Sequence, residues 1–387
     1  MKHWPTVPLG DFLAKKTGSV DPSKFPDEVF DLYSIPAFDA GQPEVRAGNE
    51  IGSAKQVVQP SDVLLSRIVP HIRRAWVVGE NRGRQLIASG EWIVFRSAQV
   101  RPQYLRYFLV GDPFHAWFMQ TVSGVGGSLL RAKASEVAKI HISVPPLVEQ
   151  ERIVKLLDEA DELRKLRAQA DRRTAVLLPS LFHEMFGDVA TNSKGWHTAR
   201  LEEIANKVTD GEHLTPKRTT SGVKLLSARN VRNGFLDFTD VDYIGQEEHQ
   251  RINKRCNPEQ GDILISCSGT IGRVAVVETF EPFSLVRSVA LVKPKKEIVR
   301  PEFLAHYLRA PFLAAKMSAQ ANASSQANLF QNQIKRLPIL IPDVRLQDHF
   351  VERVTEIREL EAEQAASRSR LDALFQSLLH GAFQGTI

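Results

Sequence analysis

Two stretches of the chain space their apolar residues in alternating steps of three and four. From Ile153 the apolar or small positions are Ile153, Leu156, Ala160, Leu163, Ala170, Leu177 and Leu181, with Arg167 and Thr174 as polar interruptions. Near the C-terminus the same register reads Phe350, Ile357, Leu360, Leu371, Leu374 and Leu378, interrupted by Arg353, Gln364 and Ser367. This is the spacing of a coiled-coil seam, and it predicts long helices over 147–188 and 343–387. A leucine stripe of this kind is packing, so no chemistry is assigned to it. Two rods of matched length and register, rich in Glu and Arg off the seam, are expected to pack as an antiparallel pair. An unbroken helix from Leu147 to His183 would span about 54 Å at 1.5 Å per residue. Pro179 lies inside that stretch and is expected to kink or end it.

The segments between the rods alternate differently. DVLLSRIVP from Asp62, EWIVFRS from Glu91, GDILISCS from Gly261 and GRVAVVE from Gly272 are short β-rich runs bounded by turn residues. YLRYFLVGDPFHAWF from Tyr104 and FLAHYLRAPFLAAKM from Phe303 have helical spacing. Residues 1–146 and 189–342 therefore read as two bodies of mixed α and β structure, and the chain as an α+β protein.

The two halves are copies of one another. ISVPPLVEQERIV from Ile142 matches ILIPDVRLQDHFV from Ile339, aligning Pro145 with Pro342 and Gln150 with Gln347. The same offset aligns Ser180, Leu181, His183 and Phe186 with Ser377, Leu378, His380 and Phe383. RPQYLRYFL from Arg101 answers RPEFLAHYL from Arg300, SDVLLSR from Ser61 answers GDILISC from Gly261, and Trp4 answers Trp196. The order is body, rod, body, rod, a tandem duplication that makes a pseudo-twofold molecule. In DNA-binding proteins such symmetry commonly mirrors two half-sites.

Charge follows the same division. The chain of 387 residues has a formal net charge of +5. The bodies hold 17 Lys+Arg against 13 Asp+Glu and 21 against 15; the rods hold 7 against 9 and 5 against 8. Two basic bodies on two acidic rods place positive potential where a polyanion could be gripped. An apolar content of 43% supports sizeable cores. No signal peptide or stretch of membrane-spanning length is present, so a soluble, cytoplasmic protein is expected. Two cysteines, Cys256 and Cys267, are too few for the disulfide framework of a secreted protein and are expected to be reduced thiols.

Several loops combine small residues, which let backbone amides approach, with side chains that can donate to phosphates and base edges. One class is Ser266, Ser268, Gly269, Thr270 and Arg273 in the second body, aligned with Ser66, Arg67, His71, Arg73 and Arg74 in the first. The other is SGVGGSLLR from Ser123, with Ser128 and Arg131, whose positional partner QANASSQANLFQN from Gln320 supplies Gln326 and Asn328. Lys217, Arg218, Arg229 and Asn230 are further candidates.

Enzyme signatures are missing. There is no Asn/Asp-Pro-Pro-aromatic tetrad of the kind an amino-methyltransferase uses, no Walker A spacing, and no dinucleotide loop around Gly124, Gly126 and Gly127. His249 with the two cysteines has irregular spacing for zinc. The carboxylates of the rods read as a solvated helix face. No catalytic, cofactor or metal residue is assigned.

At this point the chain resembles the specificity subunits of type I restriction-modification systems over essentially its whole length. The resemblance rests on VPPLVEQERIVKLLDEAD, its degenerate copy IPDVRLQDHFVERV, the GDILISCSGTIG run, and the helix ends LPSLFHEMFGD and LFQSLLHGAFQG, in the order body, rod, body, rod. The distal copy departs from the pattern at Asp343 and at Asp348-His349. The resemblance implies two target recognition domains, each reading half of a bipartite asymmetric DNA site, with the helices setting the unread gap. It implies two methylation subunits binding S-adenosylmethionine, and motor and nuclease subunits using ATP and Mg²⁺, as partners. Three other readings stay open: a scaffold bridging partner proteins without touching DNA, the specificity subunit of a related methylase-nuclease system, and an enzyme with an unfamiliar site.

Overall fold

In the computed structural model, which describes residues 4–124, 130–322 and 327–387, two compact units emerge: residues 1–170 with 364–387, and residues 171–363. Each consists of a body and the parts of the two long helices that pack on it.

In the first unit the fully buried strand Val63–Ser66 is flanked by Ala75–Val77 and Trp92–Phe95, both antiparallel to it. A five-stranded sheet lies beside this one, and within it Val29–Tyr33 and Gln85–Ala88 run parallel. Thr6–Pro8 pairs antiparallel with His141–Ser143, joining the start of the body to the strand that leads into the central helix. The second unit repeats the plan. Ile263–Ser266 is again fully buried between Val274–Val276 and Val289–Pro294, Val223–Leu226 runs parallel to Phe283–Leu285, and His197–Arg200 pairs with Pro338–Ile341. Strands apolar at consecutive positions are those covered on both faces, and the runs VLLS and ILIS are of that kind.

The repetition extends to single hydrogen bonds. Asp62 accepts from the Gln59 amide at 2.8 Å and Asp262 from the Glu259 amide at 2.7 Å. The Ser66 amide donates to Arg74 O at 3.0 Å, and the Ser266 amide to Arg273 O at 2.9 Å. Isolated bridges join Ile68 to Arg131 and Ser268 to Asn328.

The most detailed copy lies where each body meets its helix. Gln150, wholly buried, is the fourth residue of the helix Leu147–Thr174. Its Oε1 accepts from the Arg101 amide at 2.7 Å, and its Nε2 donates to Gln99 O at 3.1 Å and Pro145 O at 2.8 Å. Gln347, also wholly buried and fourth in its helix, accepts from the Arg300 amide at 2.8 Å and donates to Ile298 O at 3.1 Å and Pro342 O at 2.9 Å. The next residue in each case, Glu151 or Asp348, pairs with the side chain of the same arginine.

The central rod is two helices, Leu147–Thr174 and Leu177–Phe186, whereas the distal rod Val344–Gln384 is unbroken over 41 residues. The rods therefore differ in continuity, and the expected break at Pro179 falls earlier, at Ala175–Val176. Pro179 is the third residue of the second helix, where a backbone N–H has no intrahelical partner, so its missing donor costs nothing. In the first unit Ile153, Leu157 and Ala160 share a core with Phe375, Leu379 and Ala382, and Arg164 donates to Asp372 at 2.7 Å while covering the Phe375 ring. In the second, Phe182 and Phe186 meet Phe350 at 5.5 and 5.3 Å. Within each unit the early part of one helix thus meets the late part of the other, an antiparallel pairing.

The buried line along the rods differs from the expected seam. Ile153, Ala160 and Phe350 are buried, Leu181, Ile357, Leu371 and Leu378 are partly buried, and Leu156 is only partly covered. Leu163, Leu177, Leu360 and Leu374 are exposed. Inward positions fall one residue later, or one turn earlier, at Leu157, Leu178, Val354 and Phe375. Each helix packs against a body as well as against its partner, so its buried stripe is broader than a seam and is drawn toward the body. Among the described residues no helix is long and apolar enough to cross a membrane.

Replacing Gln150 with Leu leaves two carbonyls and one amide without a partner at the body-helix junction. Urea unfolding is expected to show a loss of roughly 3 kcal/mol, with faster hydrogen exchange at the Arg101 amide. A loss below about 1 kcal/mol would mean that the junction does not depend on this side chain.

Candidate nucleic-acid interface

The turn after Ile263–Ser266 forms one wall of an open cleft of about 380 Å³ in the second body. Ser268, Gly269 and Thr270 face Ser227, Ala228 and Arg229 across it, and Ser288 also lines it. Local bonding holds both walls. Ser266 Oγ donates to Thr270 O at 2.6 Å and accepts from the Arg273 amide at 2.9 Å, so one buried hydroxyl closes the turn from within. Gly269 has φ +69°, in the left-handed region, and nothing lies within 4 Å of where a Cβ would sit. On the other wall Ser288 Oγ accepts from the Ala228 amide at 3.0 Å.

Asn230 organises that second wall. It is buried, its Oδ1 accepts from the Ser227 amide at 2.9 Å, and its Nδ2 donates to Asp237 O at 3.0 Å and Asp240 O at 2.8 Å. With these bonds filled, Asn230 positions the loop and has no amide group free to read a base. Arg229 beside it is exposed and only loosely tied, its Nη2 lying 3.6 Å from Asp240 and 3.4 Å from Asp242. Arg218 pairs with Asp242 at 3.0 Å. Lys217 is exposed and makes no ion pair among the described residues. Asn328 reaches the same region through its bridge to Ser268. Ser128 and Gln326 lie outside the described residues.

Comparison of the copies separates two arginines that look equivalent in sequence. Arg74 is buried and forms a bidentate pair with Asp39 at 2.8 and 2.9 Å, and this bond holds the Asp39 carboxyl below its ordinary range. Its counterpart Arg273 is half-buried and makes no ion pair among the described residues. Arg74 is therefore a brace and Arg273 an available cation. The other first-body candidates are also engaged. Arg73 pairs with Asp112 at 2.6 Å and donates to Val110 O, while Arg67 and Arg131 share Glu91 at 3.8 and 3.0 Å. Both of these remain partly exposed, and one carboxylate between two guanidiniums leaves the cluster with net positive charge.

Sequence reasoning missed Ser227, Ser288 and, next to Ser288, the exposed Arg287, which makes no ion pair among the described residues. No motif marks them, because they come from strand ends far apart in the chain. Cys256 and Cys267 are buried, unbridged thiols whose pKa values burial pushes up to about 11 and about 12. Among the described residues no group of three or more His, Cys, Asp or Glu gathers as a metal site.

Residues 193–366, spanning the second body with its cleft, match the type I restriction modification DNA specificity domain. The chain is similar to the EcoBI specificity subunit of Escherichia coli, with 25% identity over 43% of this chain and 36% of that one. It is also similar to the EcoKI specificity subunit of Escherichia coli strain K12, with 23% identity over 68% of this chain and 61% of that one. Across the first three curated relatives, the chain spans 36% to 61% of their length. A solved structure from work on complex assembly and conformational transition of the type I R-M system has a TM-score of 0.68, 20% identity, and covers 99% of this chain and 98% of its own. That likeness carries the fold, two mixed bodies and a helical pair, and nothing beyond it.

Replacing Arg74 with Ala is expected to cost roughly 2 kcal/mol in urea unfolding, since a buried bidentate pair is lost. Arg273→Ala should stay within about 0.5 kcal/mol of the parent chain. Equal losses at both positions would contradict the distinction between brace and available cation.

Proposed function

We propose that this chain is the DNA-reading subunit of a type I restriction-modification complex and carries no catalysis of its own. Each body reads one half of a bipartite, asymmetric site, and the helical pair sets the unread gap. The observation that carries the reading is the duplication itself. Two bodies of one plan, each locked to a long helix by the same glutamine bonds, are what a reader of two half-sites requires from a single chain.

In the second body the cleft between Arg229 and Thr270 is the reading surface. Its serine and threonine hydroxyls serve phosphate oxygens, and Arg229, Arg273 and Arg287 reach phosphates or base edges. Asn328 borders it, Gln326 belongs to the same chain segment, and Lys217 and Arg218 extend its basic rim. In the first body Arg67, Arg131 and Arg73 form the corresponding surface, and Ser128 belongs to the chain segment that precedes Arg131. The partners are double-stranded DNA, two methylation subunits and the motor and nuclease subunits, and the complex works in the cytoplasm. S-adenosylmethionine, ATP and Mg²⁺ enter through those partners.

The test is to map methyladenine in DNA from cells that express this chain with its methylation subunit. One bipartite motif is expected, and exchange of either body should alter one half-site while sparing the other. Methylated complexes without any such motif would sink the reading. Arg273→Ala is expected to cost about 1 to 3 kcal/mol and relax one position of the second half-site if it reads a base, or to weaken all sequences and flatten the salt slope if it holds a phosphate.

A further inference from the structure

The second unit contains a cavity of about 450 Å³ between the helix Leu177–Phe186 and the end of the helix Pro301–Arg309. Leu178, Pro179 and Phe182 make one wall, and His183, Asp188, Asn233, His306 and Arg309 contribute its polar groups, the Asp188 carboxylate being taken up by the Ala190 amide at 2.9 Å and the Thr191 hydroxyl at 3.2 Å. Among the described residues Arg309 has no counter-charge, and the buried His306 Nε2 has no hydrogen-bond partner. The His306 ring stands edge-on to Phe350 at 5.3 Å. Burial, with Arg309 and Arg358 nearby, lowers its pKa to about 3, so the imidazole is neutral. Arg309 donates Nε to Ala305 O at 3.2 Å and packs its guanidinium on Gly234. No carboxylate lies within ion-pair distance of it among the described residues. Burial first, then the like charge of Arg358, brings its pKa down to about 10.

The first unit resolves the same place differently. RPQYLRYFLV and RPEFLAHYLR align Tyr107 with His306 and Val110 with Arg309. Tyr107 donates its hydroxyl to Asp158 at 2.6 Å, and Leu379 packs against Gly111 beside Val110. There the polar group has a polar partner and the apolar group an apolar one. The second copy instead places a cation and an imidazole at a cavity whose facing helix contributes Leu178, Pro179 and Phe182 along with His183. A partly buried cation without a counter-charge is costly, and an unsatisfied buried ring nitrogen calls for a partner from outside the chain.

We infer that this cavity binds an organic carboxylate, its charged end on Arg309 and its apolar body against Pro179 and Phe182. The neutral His306 can offer an Nε2–H to the second carboxylate oxygen. The apolar wall distinguishes such a ligand from a bare anion.

Benzoate is the probe, with benzamide as its uncharged isostere and inorganic phosphate as the bare anion, each added to the full chain. Benzoate at millimolar concentration is expected to raise the Tm and to give saturation-transfer NMR signals that neither of the others produces. Arg309→Met should weaken benzoate at least tenfold, and the ligand-free variant should unfold at the parent temperature or above it, because an uncompensated cation has been removed. Equal responses to benzoate and benzamide, an equal response to phosphate, unchanged benzoate binding in the variant, or no response to benzoate would each overturn the assignment. A lowered Tm for ligand-free Arg309→Met would do the same by making the arginine structural. Should the variant not fold, the comparison of the three probes on the parent chain decides alone.

Discussion

The structure depends on a buried amide at the entry to each long helix. A side-chain amide is the smallest group that presents an acceptor and two donors in fixed geometry, and Gln150 and Gln347 use all three. Each takes up backbone groups from two segments about fifty residues apart, the turn before a body helix and the proline that ends the last strand. Unpaired, those groups would cost more than the bonds return. The helix is thereby oriented by the body itself. The flanking pairs Arg101 with Glu151 and Arg300 with Asp348 add charge to the same joint, and being exposed they contribute less than the buried amide.

Given that joint, the bodies are free to differ elsewhere. Their central strands repeat, while the strand number of the sheets around them and the polar groups of the reading surfaces do not. Asp39 clamps Arg74 in the first body, whereas Arg273 in the second has no acid among the described residues. Glu91 joins Arg67 and Arg131, whereas the matching region of the second body carries Arg287 and Ser288. Divergence of this type changes which cations are available without disturbing the backbone, which is how one scaffold can present two different surfaces to a polyanion. The cavity beside His306 and Arg309 has the same origin, since the substitutions that open it sit on a body helix whose apolar face is retained.

Much of this was legible without coordinates. The duplication followed from matching strings, and Gln150 and Gln347 stood out as aligned residues whose bonding role was invisible. The helix positions followed from apolar periodicity, yet the buried line was misread at Leu163, Leu177, Leu360 and Leu374. Periodicity reports the amphipathic face of an isolated helix. Here the face is shared between a partner helix and a body, so Leu157, Val354 and Phe375 are enclosed and Leu178 is partly covered. The break at Ala175–Val176 also lacked a signal, because the conspicuous proline lies where a helix tolerates it.

By itself the sequence determined the order of bodies and rods and the central strands of the cores, because these follow from local periodicity and from repetition along the chain. Tertiary structure alone decided which polar side chains are available. Arg74 and Arg273 occupy the same place in the repeat, and Asn230 is as polar as any residue of the cleft. Whether each is spent on the protein or left for a ligand depends on partners such as Asp39, Asp237 and Ser227, several of them distant in sequence, and hydrogen bonds between segments leave no period to read.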